Sequence, residues 1–234
     1  MSLEQLRTKG YTILDDIYTP AEIRALGDIL SQADSSKPTF RRTNDLFAIR
    51  QFLKEIQEAH HLIFNEPLMA VVRRYFGEDY FVVKSIYFDK PEQSNWFVAW
   101  HQDLTISVDK KVELPGFGPW TVKQDQFAVQ PPLQILENIF TVRIHLDPTD
   151  EHNGALRVIP GSHLKGIQRF SPELNREENI CRVPGGGVML MRPLLLHASH
   201  RTTNAKRRRV IHIEFCNVHL PKGIKWAEST ALYF

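Results

Sequence analysis

From residue 80 onward the chain breaks into short β-rich runs parted by turn residues, with no helix-length pattern between them. Tyr80–Lys90 carries Val82, Val83, Ile86, Tyr87 and Phe88 and stops at Pro91; Ile139–Leu146, Ala155–Ile159, Val188–Leu196 and Arg208–Asn217 follow. β-Branched and aromatic residues in runs of this length, bounded by Gly and Pro, predict strands. Asn153-Gly154 between two of them reads as a hairpin turn. Before residue 80 the texture is helical. Thr19-Pro20-Ala21-Glu22 combines an N-cap, a first-turn proline and the acid of a capping box, predicting a helix through about Gln32 on Ile23, Leu26 and Ile29 or Leu30. A second helix is expected from about Asp45 to His60 on Leu46, Ile49, Leu53 and Ile56, and a third from about Glu66 to Tyr75, stopped by Gly77. Many strands, helices mostly first and no βαβ alternation predict a mainly β fold with helical cover. The expected architecture is a double-stranded β-helix, a jelly-roll or cupin-like barrel. At 234 residues one domain is expected, helical over about 1–79 and barrel over about 80–220.

His101-Gln102-Asp103 is the stretch richest in chemistry. A His and an Asp two apart on a strand share a side. Together with His197, about ninety residues on at the end of an apolar run, they have the composition of the facial triad of a non-haem Fe(II) oxygenase. Such a triad leaves three octahedral positions open for a cosubstrate and O2. His200 is the competitor for the distal position. Of the ten histidines, His60, His61, His152 and His219 sit in helical or polar contexts and are not expected at a metal. Arg207, Arg208 and Arg209 open the last strand. A guanidinium held on a strand is the best partner for the far carboxylate of a dicarboxylate such as 2-oxoglutarate. Periodicity leaves Arg208 and Arg209 open, since either face of such a sheet can be buried.

Residues 107–134 hold Pro115, Gly116, Gly118, Pro119, Pro131 and Pro132 with Phe117 and Trp120, and read as a long lid or binding loop. Trp96 and Trp100 read as an aromatic wall for the substrate. Charge is close to balanced, 29 Lys and Arg against 27 Asp and Glu, with a basic cluster at 206–209; no nucleic-acid surface is expected. No membrane-length apolar run and no signal-peptide pattern occur. Cys181 and Cys216 lack any CxxC or dense framework, which fits a reducing compartment, so a cytoplasmic protein is expected.

The motifs Trp100-His101-Gln102-Asp103, Asn153-Gly154-Ala155-Leu156 with Pro160-Gly161-Ser162-His163, Pro193 to His197 and the trailing arginines occur in an order that resembles the phytanoyl-CoA dioxygenase family of Fe(II)/2-oxoglutarate oxygenases. The resemblance covers about residues 80–215. It implies a hydroxylase using Fe(II), 2-oxoglutarate and O2, with His101, Asp103 and His197 on the metal and no catalytic residue beyond them. In that family the distal His precedes the 2-oxoglutarate Arg by eleven residues, which selects Arg208. The stretch Lys84 to Pro91 aligns with a family strand, implying Lys84 near substrate, Lys90 near the cosubstrate and Ile86 between them. Two solvated lysines at strand ends are the alternative. Ser199 matches a family serine near the cosubstrate. Arg143 stands where the human member has a tryptophan, a departure that offers a cation to a carboxylate of substrate or cosubstrate, or to an acidic neighbour. His163 is expected in a local hydrogen bond within a structural turn. The substrate is expected to be a small molecule, anionic if Lys84 and Arg143 face the pocket. The rival readings are a cupin-like metalloprotein of non-redox chemistry, such as an isomerase, and a non-catalytic ligand-binding barrel.

Overall fold

The structure is a computed structural model that describes residues 3–34, 36–43, 47–92, 96–123, 126–168 and 177–232. Its strands are β1 (Tyr11–Leu14), β2 (Phe40–Arg42), β3 (Phe47–Arg50), β4 (Phe81–Lys90), β5 (Val98–His101), β6 (Ile106–Val108), β7 (Trp120–Lys123), β8 (Gln126–Val129), β9 (Ile139–His145), β10 (Leu156–Val158), β11 (Asn179–Cys181), β12 (Val188–Met191), β13 (His197–Ser199) and β14 (Arg208–Cys216). They form a seven-stranded antiparallel sheet in the order β1-β12-β9-β14-β4-β3-β2, a four-stranded sheet β11-β10-β13-β5 and a three-stranded sheet β6-β8-β7. The large and four-stranded sheets face one another as the two halves of a double-stranded β-helix. The barrel is not closed by hydrogen bonds at its edges.

Period two decides what each face of the large sheet does. Ile49, Tyr87, Val142, Ile144, Val188, Ile211, Ile213 and Phe215 lie on the outer face, in one core cluster with Leu26, Leu68 and Val72 of the covering helices. Burying each such side chain stabilises the fold by about 1.5–3 kcal/mol relative to exposure. The opposite face carries Lys84, Ile86, Phe88, Arg143, Arg208 and His212, which line a cavity together with residues of β5, β10 and β13. Farther along, Tyr11, Met189 and Met191 of the large sheet pack against Leu156, Val158 and Cys181 and close that end of the space between the sheets. Cys181 and Cys216 are buried free thiols.

Helix α1 spans Leu3–Lys9. Helix α2 spans Pro20–Ser31, with the expected capping box closed between Thr19 and Glu22. The expected second helix is corrected. Asp45 and Leu46 lie outside the described residues, and Phe47–Arg50 is strand β3, paired with β4. Gln51, at φ +51°, turns the chain in the left-handed region before the short helices α3 (Phe52–Glu55) and α4 (His60–Ile63). Ile49 and Leu53 are both buried, but by different elements, so their helical spacing is coincidental. Helix α5 runs Glu66–Phe76 and ends at Gly77 as expected. The first 79 residues are therefore not only cover, since β1, β2 and β3 extend the large sheet.

Three further corrections concern the β region. Asn153-Gly154 is a corner between sheets and not a hairpin: β9 pairs with β12 and β14, whereas β10 pairs with β11 and β13. Val188–Leu196 is not one strand. It ends at Met191, turns where Leu195 N–H donates to the Arg192 carbonyl (3.1 Å), and resumes as β13 in the other sheet. Pro193 inside that apolar run is the reason, since it has no N–H for a ladder. Residues 107–134 are not a structureless loop, because β7, β8 and the short helix α6 (Leu133–Glu137) lie within them. Among the described residues, no helix is long and apolar enough to cross a membrane.

Candidate metal centre and its cavity

β5 and β13 are neighbours in the four-stranded sheet, and their register sets His101 directly opposite His197. Asp103 follows where the chain leaves β5, fixed by its backbone N–H donating to the Pro193 carbonyl at 2.9 Å. Nε2 of His101 lies 3.7 Å from one Asp103 carboxylate oxygen and Nε2 of His197 3.7 Å from the other. One donor atom from each of the three residues lies within 4.8 Å of the others, and among the described residues this is the one group arranged to hold a metal ion.

The backbone has already chosen the imidazole tautomers. Nδ1 of His101 lies 2.8 Å from the Ala99 carbonyl and Nδ1 of His197 lies 2.8 Å from the Leu195 carbonyl. A carbonyl can only accept, so each Nδ1 carries the proton and each Nε2 presents a lone pair toward the shared centre. Burial pushes the His197 imidazole down to about 4, which keeps it in the neutral, ligating form at pH 7. Burial would raise the Asp103 carboxyl, but the charges of His197, His212, Lys84 and His101 outweigh it and hold the group below the usual carboxylate range. One Asp103 oxygen is buried with no hydrogen-bond partner. Two imidazoles with Nε2 turned inward and a carboxylate with one unpartnered oxygen are the donor set that a first-row divalent metal completes. Gln102, between the ligands, points away. Its amide donates to the carbonyls of Gly166 (2.9 Å) and Leu194 (2.6 Å), and its oxygen accepts from Gln168 N–H (2.8 Å), pinning the loop that carries Asp103.

A cavity of about 190 Å³ extends from the triad across the inner face of the large sheet. Arg208, Arg143, Ser199, Ile86, Lys84 and Trp96 all line it. The three consecutive arginines part company here. Arg207 pairs with Asp89, and Arg209 reaches Asp147 at 2.7 Å. Arg208 is buried, donates to the Gly154 carbonyl, and has no carboxylate partner among the described residues. Desolvation pushes its guanidinium down, with Arg143 adding repulsion, yet no guanidinium loses its proton at neutral pH. A buried cation without a counter-charge is a site waiting for an anion. Next to it, Lys90 Nζ donates to the His200 carbonyl at 2.7 Å and lies over Trp96, while Ser199 Oγ is buried and unpartnered. Gly154, at φ +82°, completes this cradle: a Cβ there would sit 2.8 Å from Lys90 Nζ and 2.9 Å from the His200 carbonyl.

On the other side of Asp103 a relay runs along three strands. Arg143 donates to Nδ1 of His212 (3.1 Å), whose Nε2 then donates to Glu214 (3.0 Å), and the same carboxylate oxygen accepts from Lys84 (2.7 Å). Lys84 therefore has its charge met by Glu214, whereas Arg143, with Nε unpartnered, has no carboxylate partner among the described residues. His212 and Glu214 are not among the residues expected from sequence. The signal was present, since they share period two with Arg208 on β14.

Other expected residues lie elsewhere. Phe117 and Trp120 pack against a separate cluster around Ile106, Val129 and Trp226 and do not line the metal cavity. Trp100 alternates away from His101 and lies under the Arg157 guanidinium, 5.0 Å from its ring centre. His200 turns its ring to Arg157, which removes it as a rival ligand. His163 bonds to the Arg7 carbonyl (3.0 Å), a partner distant in sequence where a local one was expected. His60 bonds to the Leu53 carbonyl, His219 stacks on Phe81, and His152 and His61 also stand outside the triad.

Comparison with known proteins accords with this geometry. The family model described as "Phytanoyl-CoA dioxygenase (PhyH)" matches residues 6–210. A probable alpha-ketoglutarate-dependent hypophosphite dioxygenase of Stutzerimonas stutzeri is 24% identical over 241 residues, covering 88% of this chain and 74% of its own. Among solved structures, SnoK, a non-heme alpha ketoglutarate dependent carbocyclase from nogalamycin biosynthesis, superposes with a TM-score of 0.67 at 14% identity, over 92% of this chain and 82% of that one. HygX from Streptomyces hygroscopicus, with nickel and 2-oxoglutarate bound, superposes with a TM-score of 0.64 at 14% identity, over 92% of this chain and 87% of that one. The likeness to these two structures is one of fold.

Proposed function

This chain belongs to the phytanoyl-CoA dioxygenase family of iron- and 2-oxoglutarate-dependent oxygenases, and on that premise we propose that it hydroxylates a small-molecule substrate, with release of succinate and CO2. Its cofactors are Fe(II), 2-oxoglutarate and O2. The observation that carries the reading is the pairing, in one cavity, of the His101, Asp103 and His197 donors with the buried, carboxylate-free guanidinium of Arg208. Bound there, Fe(II) supplies the coupling of 2-oxoglutarate decarboxylation to oxidation of a substrate C–H bond by O2.

The protein's own part is placement. His101, Asp103 and His197 hold the metal, with the Ala99 and Leu195 carbonyls keeping both imidazoles facing inward. Arg208 takes the far carboxylate of 2-oxoglutarate through its planar fork, and Ser199 and Lys90 stand beside it as further donors. Ile86 separates the cosubstrate from the substrate side. There Arg143, Lys84 and Trp96 border the substrate, and Arg143 is the cation left for a substrate anion now that Glu214 neutralises Lys84. Trp100, Phe117 and Trp120 have no contact role in this scheme.

Succinate formation from 2-oxoglutarate, screened against small carboxylates, phosphonates and neutral compounds, tests the reading. A hit should produce succinate and a substrate product bearing one new oxygen, labelled from 18O2. Turnover that persists in His101→Ala or Asp103→Ala protein would sink it.

A further inference from the structure

The inner face of the large sheet does not stop at the metal cavity. Register places Arg50 of β3 beside Ile86 of β4, Ile86 beside His212 of β14, and His212 beside Arg143 of β9. Cross-strand partners point to the same face, so Arg50 stands in one row with three residues that line the metal cavity. Two strand spacings separate it from His212, roughly 10 Å of backbone. A second cavity of about 290 Å³ shares Lys84 and Ile86 with the first and is walled by Arg50, Lys54, Ser107 and Gln126. A third, of about 550 Å³, shares Arg50 and Gln126 with the second and adds Arg41 and Arg42. The three cavities adjoin in sequence, from the triad to the basic edge of the sheet.

Basic side chains outnumber acidic ones along this path. Arg50 is half-buried and, among the described residues, donates its side-chain hydrogen bond to the Gln126 amide oxygen (3.2 Å). Among the described residues, none of Arg41, Arg42 and Arg50 pairs with a carboxylate, and Arg42 instead lies over Phe47 (5.3 Å). The two acids that border the second cavity are committed to backbone: Glu228 accepts from Ser85 N–H (2.8 Å) and Oγ, and Asp109 accepts from Lys225 N–H (2.8 Å). Burial, and then the charge of Arg41, lower the Arg50 pKa.

We propose that this cleft is the distal subsite of the substrate. The substrate is an elongated small molecule whose oxidised carbon lies in the metal cavity. Its far end carries a phosphate or carboxylate group, received by Arg50 with Arg41. The assignment rests on the oxygenase reading of the metal cavity and adds to it the class of substrate. The segment expected from sequence to be a lid then serves as a side wall, since β6 and β8 border the cleft through Ser107 and Gln126.

The test uses protein loaded with Zn(II) and 2-oxoglutarate, so that the metal and Arg208 are already occupied. Inorganic phosphate and, separately, acetate are titrated by calorimetry at constant ionic strength. At least one anion should bind saturably at one site, at least tenfold more weakly in Arg50→Gln protein and several-fold more weakly in Arg41→Gln protein, with 2-oxoglutarate affinity unchanged in both. Preference for phosphate assigns a phosphoryl end to the substrate, and preference for acetate a carboxyl end. Absence of saturable binding, or unchanged affinity in both variants, overturns the proposal. Arg41 is exposed, so its variant remains informative if Arg50→Gln protein fails to fold. Failure of the wild-type protein to bind 2-oxoglutarate would instead strike the oxygenase reading, and the subsite with it.

Discussion

Among single residues, the contrast between Arg208 and Arg209 is the sharpest. They are adjacent in sequence and chemically identical, yet one turns inward without a counter-charge and the other outward onto Asp147. Losing a charge-assisted fork in a buried site costs about 1.5–3 kcal/mol, so Arg208→Gln should weaken 2-oxoglutarate roughly 10- to 150-fold. Arg209→Gln should leave that affinity unchanged and lower stability by about 1.5–3 kcal/mol, the cost of losing charged hydrogen bonds in a partly buried bidentate pair. Calorimetric titration of 2-oxoglutarate into metal-loaded protein, with a denaturant melt of each variant, checks both. Periodicity alone could not choose between these arginines, because both faces of the large sheet are covered. Spacing within a family resemblance chose the one that lacks a carboxylate partner. The candidate metal donors, which the fold does bring together, were legible for a different reason: a His-x-Asp pattern and a distant His are local chemistry. The relay through His212 and Glu214 was only half legible: period two sets both on the Arg208 face, but the register of β14 against β4 and β9 is what brings Lys84 and Arg143 to them.

For the secondary-structure elements, caps were readable and corners were not. The Thr19 hydroxyl accepts from Glu22 N–H (3.2 Å), while the Glu22 carboxylate accepts from Thr19 N–H (2.7 Å) and from Asn65 (2.9 Å). Thr19→Ala should therefore cost about 1 kcal/mol in denaturant unfolding. The Asn65 and Thr19 hydrogen bonds hold the Glu22 carboxyl below its ordinary value. Its contribution is thus present above that ordinary value and lost as pH falls through the lowered one. The stability difference between wild-type and Glu22→Gln protein should close over that acid range. The Asn153-Gly154 corner carries a heavier constraint. Its positive φ and its contacts with Lys90 and His200 leave no space for a side chain, so Gly154→Ala should destabilise the fold by at least about 1 kcal/mol and weaken 2-oxoglutarate together. Matched melts and titrations of that variant would show it, and an unperturbed Gly154→Ala protein would contradict the cradle. Sequence pattern identified the turn but could not tell a hairpin from a change of sheet, because that depends on which distant strands accept the ladder.

At the scale of the whole molecule, two sheets divide the labour. The large sheet's outer face joins the helical core, and its inner face supplies the cations and the relay. The four-stranded sheet supplies two of the three candidate metal donors, His101 and His197, from paired strands. The jelly-roll architecture was legible in the run of short strands. The three N-terminal strands were missed because Tyr11–Leu14, Phe40–Arg42 and Phe47–Arg50 are too short to display a period. A site that joins both sheets should couple ligation to global stability. Ligand at a hundredfold excess over its Kd contributes about 2.7 kcal/mol, so Zn(II) with 2-oxoglutarate should raise the melting temperature by roughly 5–10 °C, and a chelator should reverse it. The most direct measurement of the central claim is the visible spectrum under anaerobic conditions as Fe(II) and then 2-oxoglutarate are added. A metal-to-ligand charge-transfer band should appear only with both present, vanish in Asp103→Ala or His197→Ala protein, and require far more 2-oxoglutarate in Arg208→Gln protein. No band in the wild-type protein, or the same band in the ligand variants, would contradict an iron and 2-oxoglutarate site at His101, Asp103, His197 and Arg208.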